Sequence, residues 1–180
     1  MRGAAELQAT TRHNSLILIG LGANLPSRFG DPRQTLQAAL KRLQDLGLEV
    51  TARSRYWLTA PVPVSDQPWF HNAVCAVKTG LPPDELLALL HKVEAEFGRV
   101  RTVVNAPRVL DLDLLAYGDE VVEAERGLVI PHPRLAERAF VLFPIRDVAP
   151  DWLHPVTGEG LEAMIARIPA DQHARPEEQG

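Results

Sequence analysis

Two stretches of this chain repeat leucine at helical spacing, each opened by proline and closed by glycine, and short apolar runs flank both. The first begins after Asp31, a capping residue, with Pro32 at its first position and Gln34 placed for a capping box. Leu36, Ala39, Leu40, Leu43 and Leu46 form its apolar stripe, and Gly47 ends it. The second opens at Pro82 and Pro83, carries Leu86, Leu87, Leu90, Val93 and Phe97, and ends at Gly98. The runs between them are too short and too branched for helices. "SLILIGLG" (15–22) reads as a buried strand, "LEVTARSRYW" alternates as a strand, and "FHNAVCAVKTG" is apolar on both faces. The proline-rich "LTAPVPVSDQP" between the last two cannot continue a ladder.

A fourth strand, "PRVLDLDLLAYG" (107–118), completes the order β-α-β-β-α-β. That order predicts an α+β, ferredoxin-like core, an antiparallel sheet with two helices on one face. C-terminal elaborations follow: a short strand near "GLVIP", the segment "HPRLAERAFVLFPI", and a closing helix near Gly160 to Ile168. With 180 residues, 46% of them apolar, the chain is long enough for one well-buried domain. We place that domain at 15–169, with 1–14 a flexible leader and 170–180 a flexible tail.

A net charge of −4 provides no basic field, which sets nucleic acid aside as a partner. The N-terminus has no secretory pattern and "LILIGLG" is too short to span a bilayer, so the expectation is a cytoplasmic protein without membrane contact. Nothing points to an obligate protein partner. Cys75, inside an apolar strand, reads as a buried, inert thiol.

The closing strand carries the chemistry. Strict alternation turns Leu110, Leu112, Leu114 and Ala116 one way and Asp111, Asp113, Leu115 and Tyr117 the other. Asp111 and Asp113 then share a face, roughly 6–7 Å apart at their α-carbons. They are either a solvated polar face or the seat of a hard divalent cation, and Mg²⁺ typically takes only one or two protein carboxylates plus substrate phosphates. Upstream, "GRVRTVVNAPR" lines up Arg99, Arg101 and Arg108. This is either a solvated basic loop or a set of phosphate ligands, and no P-loop lysine motif accompanies it. Glu94 falls inside the second helix's apolar stripe with His91 at its flank, so its charge must snorkel out or find a partner, unless the stripe's edge lines a ligand cleft. Phe70 and Asn72 share a strand face, as core residues or as a stacking surface with an adjacent amide for a flat heterocycle. "PHPRLAERAF" gathers His132, Arg134, Arg138 and Phe140.

Taken together, "GLGANL", "DQPWFHNAV", "GRVR", "PRVLDLDLLAYG" and "PHPRLAERAFVLFP" closely resemble the 6-hydroxymethyl-7,8-dihydropterin pyrophosphokinases of folate biosynthesis, in order and over about Leu16 to Pro150. The resemblance implies transfer of pyrophosphate from ATP to the pterin hydroxymethyl group, with AMP released. It implies that Asp111 and Asp113 hold two Mg²⁺ ions, and that Arg99, Arg101 and Arg108 lie on a catalytic loop. It places ATP against His91, Glu94, Arg101, Arg108, Leu114, His132 and Arg138. The pterin falls between Phe70 and Phe140, read by Asn72 and by the backbone at Thr59, Ala60 and Val62. The rival from another class is a ferredoxin-like binding module for RNA or a small effector. An RNA binder of this topology would show a basic face with exposed aromatics, where this chain has paired aspartates.

Overall fold

β1 (Ile17–Ala23) is buried along nearly its whole length, as a strand must be when it has neighbours on both edges and layers on both faces. It pairs antiparallel with β4 (Phe70–Lys78) on one side and with β5 (Asp111–Tyr117) on the other. The computed structural model describes residues 16–98, 107–123 and 127–178. Its sheet runs β5-β1-β4-β3-β6, with β2 (Glu49–Arg53) and β3 (Trp57–Thr59) both pairing with β4 and β6 (Ala174–Pro176) pairing with β3. Helices α1 (Pro32–Asp45) and α2 (Pro83–Glu96) cover one face, which makes the core ferredoxin-like, as the order of elements predicts.

The capping box at α1 forms as read: Gln34 N–H donates to Asp31 Oδ1 at 2.8 Å, and Asp31 N–H donates to Gln34 Oε1 at 2.9 Å. Leu36, Ala39, Leu40 and Leu43 of α1 pack with Leu86, Leu90 and Val93 of α2 against Ile17, Ile19, Leu21 and Cys75. The second face is not open. α3 (Ala139–Val148) and α4 (Leu161–Ile165) close it over Leu18, Val74, Ala76 and Leu115.

Three local expectations change. "LEVTARSRYW" is two strands, because the Ser54 hydroxyl accepts the Val74 N–H at 2.9 Å in place of a ladder carbonyl. Arg55 then turns aside to Asp147 on α3, donating to it from its backbone N–H and its guanidinium. The "GLVIP" strand reduces to one bridge, Val122 to Ile130. The segment expected as a flexible tail instead forms β6 (Ala174–Pro176), antiparallel to β3, because the outer edge of β3 offers unpaired backbone groups.

β5 also departs from strict alternation. Ile19 pairs with Leu114 and Leu18 with Ala116, so Leu115 bulges without a counterpart. Ala116 therefore joins Leu115 on the α3 face. Tyr117 crosses to the α2 side, where its hydroxyl donates to the Leu81 carbonyl at 2.6 Å. The bulged Leu115 carbonyl accepts the His132 N–H at 2.9 Å, which fixes the turn that follows.

Asp147 ties the second layer to the sheet, since the buried Trp57 indole also donates to it at 3.0 Å. Burial would raise its carboxyl, but the hydrogen bonds from Arg55 and Trp57 and the charge of Arg55 outweigh this and hold it below the usual carboxylate range. A lowered native value stabilises the fold above the unfolded value of ~3.9, and that contribution is lost as pH falls through the native value. Asp147→Asn is expected to cost ~1–2 kcal/mol in urea unfolding at neutral pH, a modest figure because Arg55 is half in solvent. The gap from the parent protein should narrow steadily towards acid; a gap independent of pH would show that charge plays no part.

Candidate active site

Two glycines on β1 make room for the carboxylates of β5. Asp113 sits opposite Gly20 and Asp111 opposite Gly22, so no side chain from β1 covers either. Gly22 in turn faces Asn72 across the next pair, and a Cβ there would lie 2.6 Å from Asn72 Oδ1. Asp111, Gly22, Asn72 and Trp57 thus form one row across four strands, on the face away from α1 and α2. Phe70 and Thr59 are the adjacent pair on that face.

Asn72 and the buried Thr59 are joined at 2.6 Å, the amide Nδ2 donating to the Thr59 hydroxyl. Gly22, Ala60, Val62, Phe70, Asn72 and Phe140 line a cleft of about 520 Å³, together with Arg108, Asp111 and Arg138. A wider cleft of about 1190 Å³ opens on the other side of Asp111. His91, Asp113, Leu114, His132, Pro133 and Arg134 line it, again with Arg108, Asp111 and Arg138. The two clefts meet at the same carboxylate and the same two arginines.

The charges at that junction are tightly set. Arg108 Nη1 lies 2.8 Å from Asp111 Oδ2. Burial first, then the charges of Asp111 and Glu94, push the Asp113 carboxyl up to about 7, against the pull of Arg138 and Arg108. Burial likewise lowers Arg138, whose guanidinium lies 5.2 Å over the Phe140 ring, although Asp113 opposes the shift. His132 is lowered by burial and then by Arg138, and its Nδ1 accepts the Arg134 N–H at 3.2 Å. The neutral ring therefore carries its proton on Nε2.

A hard cation fits this donor set. Two like charges on alternate residues of a partly dehydrated strand repel each other, and a cation between them would relieve that repulsion. Among the described residues no group of three or more His, Cys, Asp or Glu is arranged to hold a metal, so a cation here would complete its shell with ligand oxygens and water.

Of the residues singled out from sequence, Arg99 and Arg101 lie outside the described residues. Glu94 does not snorkel; it finds a partner. It is 1% exposed, and its Oε2 accepts the Leu112 N–H at 3.0 Å, holding the strand between the two aspartates from beneath.

Sequence reasoning missed Asn24. It is 2% exposed, and its side chain accepts the Arg108 N–H at 2.8 Å while donating to Gln67 Oε1 at 2.9 Å and the Pro68 carbonyl at 3.0 Å. One amide thus fixes Arg108 relative to the loop that leads into Phe70. The signal available was the "GLGANL" run, where two strand glycines precede a buried polar residue.

The family model for 7,8-dihydro-6-hydroxymethylpterin-pyrophosphokinase matches residues 18–150. The chain is 39% identical over 154 residues to the 2-amino-4-hydroxy-6-hydroxymethyldihydropteridine pyrophosphokinase of Pseudomonas aeruginosa, covering 85% of this chain and 91% of that one. The protein of the same name from Methylorubrum extorquens is 41% identical over 151 residues, covering 83% of this chain and 91% of that one. The folic acid synthesis protein fol1 of Pneumocystis carinii is 38% identical over 163 residues, covering 91% of this chain, which spans only 21% of that longer protein. Among solved structures, the Plasmodium falciparum HPPK-DHPS protein shares the fold, with a TM-score of 0.62 at 14% identity over 84% of this chain and 43% of that one. A match over most of the chain, with relatives similar along nearly their whole length, establishes that this chain belongs to the 7,8-dihydro-6-hydroxymethylpterin-pyrophosphokinase family.

Proposed function

We propose that the chain transfers the pyrophosphoryl group of ATP to the hydroxymethyl oxygen of 6-hydroxymethyl-7,8-dihydropterin, in folate biosynthesis. The observation that carries this reading is the meeting of two unlike clefts at Asp111, Arg108 and Arg138. The narrow one suits a flat heterocycle and the wide, polar one suits a nucleotide, so the reacting atoms of two substrates would meet at their shared edge.

In this reading the pterin ring lies between Phe70 and Phe140. Asn72 and the backbone at Thr59, Ala60 and Val62 read its hydrogen-bonding edge, while Thr59 holds the Asn72 amide in place. ATP lies along His91, Leu114, His132 and Arg138, with Arg99 and Arg101 contributing from the segment before Arg108. Glu94 acts from behind, through Leu112.

The hydroxymethyl oxygen attacks the β-phosphorus. The bond from that phosphorus to the oxygen bridging the α-phosphate breaks, and its electron pair leaves with AMP. The hydroxyl proton is lost to water. Asp111 and Asp113 would hold Mg²⁺, two ions in the family's pattern, which would neutralise the triphosphate and acidify the acceptor hydroxyl. Arg108 and Arg138 stand where charge builds on the transferred group, and fixed donors in a partly dehydrated cleft stabilise such charge better than water does. A cytoplasmic setting, with small molecules as the only obligate partners, belongs to the same proposal. The net charge of −4 supports the exclusion of nucleic acid, and no helix among the described residues is long and apolar enough to cross a membrane.

Incubation with ATP, Mg²⁺ and the hydroxymethyldihydropterin should yield AMP and the pterin diphosphate. ADP in place of AMP would replace this reading with an ordinary kinase. Asp113→Asn should lower kcat by ~100-fold or more, the scale of removing a metal-site group. Its Tm should hold, because a repulsive charge has been removed; retained turnover would dissociate Asp113 from the cation. Asn24→Ala strands the Arg108 N–H and frees the loop before Phe70, and should cost ~1–3 kcal/mol of stability. In the fraction that remains folded, kcat should fall more than either substrate's binding does, as single-turnover and titration measurements would separate.

A further inference from the structure

Residues 172–174 reach both the start of α3 and the β3 side of the narrow cleft, although they lie beyond the 18–150 span that matches the family model. Gln172 bridges to the start of α3: its Oε1 accepts the Ala139 N–H at 3.0 Å and its Nε2 donates to the Glu137 carbonyl at 2.9 Å. The Ala139 N–H is one of the first-turn donors that a helix leaves unsatisfied, and Arg138, the capping residue, gives α3 no side-chain cap. Gln172 supplies that cap from elsewhere in the chain. The next residue, His173, accepts the Ala60 N–H at 2.9 Å through its carbonyl, and Ala174 pairs with Thr59. Beyond the edge of the cleft, the His173 ring stacks on Trp69, whose neighbour is Phe70.

Arg138 and Phe140 bring the start of α3 to the narrow cleft, and Ala60 and Phe70 bring the β3–β4 side to it. Three consecutive residues therefore span from one to the other. We infer that segment 172–174 is a strap that sets the spacing of the acceptor cleft, with Gln172 a positioning residue for the heterocyclic substrate. The inference rests on the proposed function for its substrate and on backbone geometry for its mechanism. Gln172 touches no substrate. It acts by holding the ring-bearing wall of α3 in register with the Ala60 wall. A stacking slot tolerates little change in width, so a loosened strap weakens acceptor binding and leaves the nucleotide cleft as it was.

The test is Gln172→Met, which keeps the side chain's length and loses both hydrogen bonds. The KM for the hydroxymethyldihydropterin should rise about fivefold, the scale of one net hydrogen bond, with the KM for ATP within twofold of the parent value. Gln172→Glu retains the acceptor for Ala139 but turns a carboxylate oxygen towards the Glu137 carbonyl, and should recover only part of the loss. Equal movement of both KM values, or of neither, overturns the strap. Amide hydrogen exchange without substrate decides the same point independently of activity. Exchange should quicken at both Ala139 and Ala60 in Gln172→Met, whereas quickening at Ala139 with Ala60 unchanged reduces Gln172 to a helix cap and overturns the inference. A parent protein that releases no AMP refutes the proposed function, and the exchange measurement still settles the strap.

Discussion

Two carboxylates on alternate residues of one strand repel each other more strongly as water is withdrawn, and the architecture around β5 is organised about that repulsion. Gly20 and Gly22 keep the neighbouring strand bare opposite the pair. Arg108 reaches Asp111 directly, and Arg138 approaches from the start of α3. A site that holds its negative charge at this cost in an otherwise apolar strand is poised for a cation and for the anionic ligand that comes with it. The ferredoxin-like sheet supplies the frame. The face it shares with α3 carries the chemistry, and the face under α1 and α2 supplies most of the burial.

Much of this was legible because it is local. The caps, stripes and glycine stops of the two core helices depend on neighbours within a turn or two, and both helices form where the pattern puts them. The aspartate pair was visible as an anomaly, since aspartate is depleted in strands. What stayed hidden rests on partners far along the chain. Ser54 breaks an alternating run because its hydroxyl meets Val74, and nothing in the run itself announces this. Residues 174–176 are polar enough to read as tail and become a strand only because β3 presents an edge. Asn24 looks like an ordinary loop residue until residues 67, 68 and 108 are brought to it.

The bulge at Leu115 shows how one irregularity serves two layers. Before it, β5 gives its leucines to the core under α2 and its aspartates to the site. After it, the phase is reversed, so Ala116 fits beneath α3 while Tyr117 anchors to Leu81. Strict alternation would have placed the tyrosine ring on the α3 side, in the space that the small Ala116 now occupies. The extra residue also frees a carbonyl for His132, so the correction in packing and the placement of a cleft residue come from the same backbone step.

The buried carboxylate of Glu94 has a consequence for how these molecules behave in a crowd. Among the described residues β5 is the outermost strand on its side of the sheet, and a terminal strand is a template on which another chain can align. At Leu112, the middle of the acidic stretch, the backbone donor that such a chain would need is held by Glu94 from within the same molecule. An incoming strand would have to expel a carboxylate that has almost no contact with solvent and then lie beside Asp111 and Asp113. The helix that fills the core therefore also seals this border of the sheet, and the charge that makes the site reactive discourages edge-to-edge association of copies of the chain.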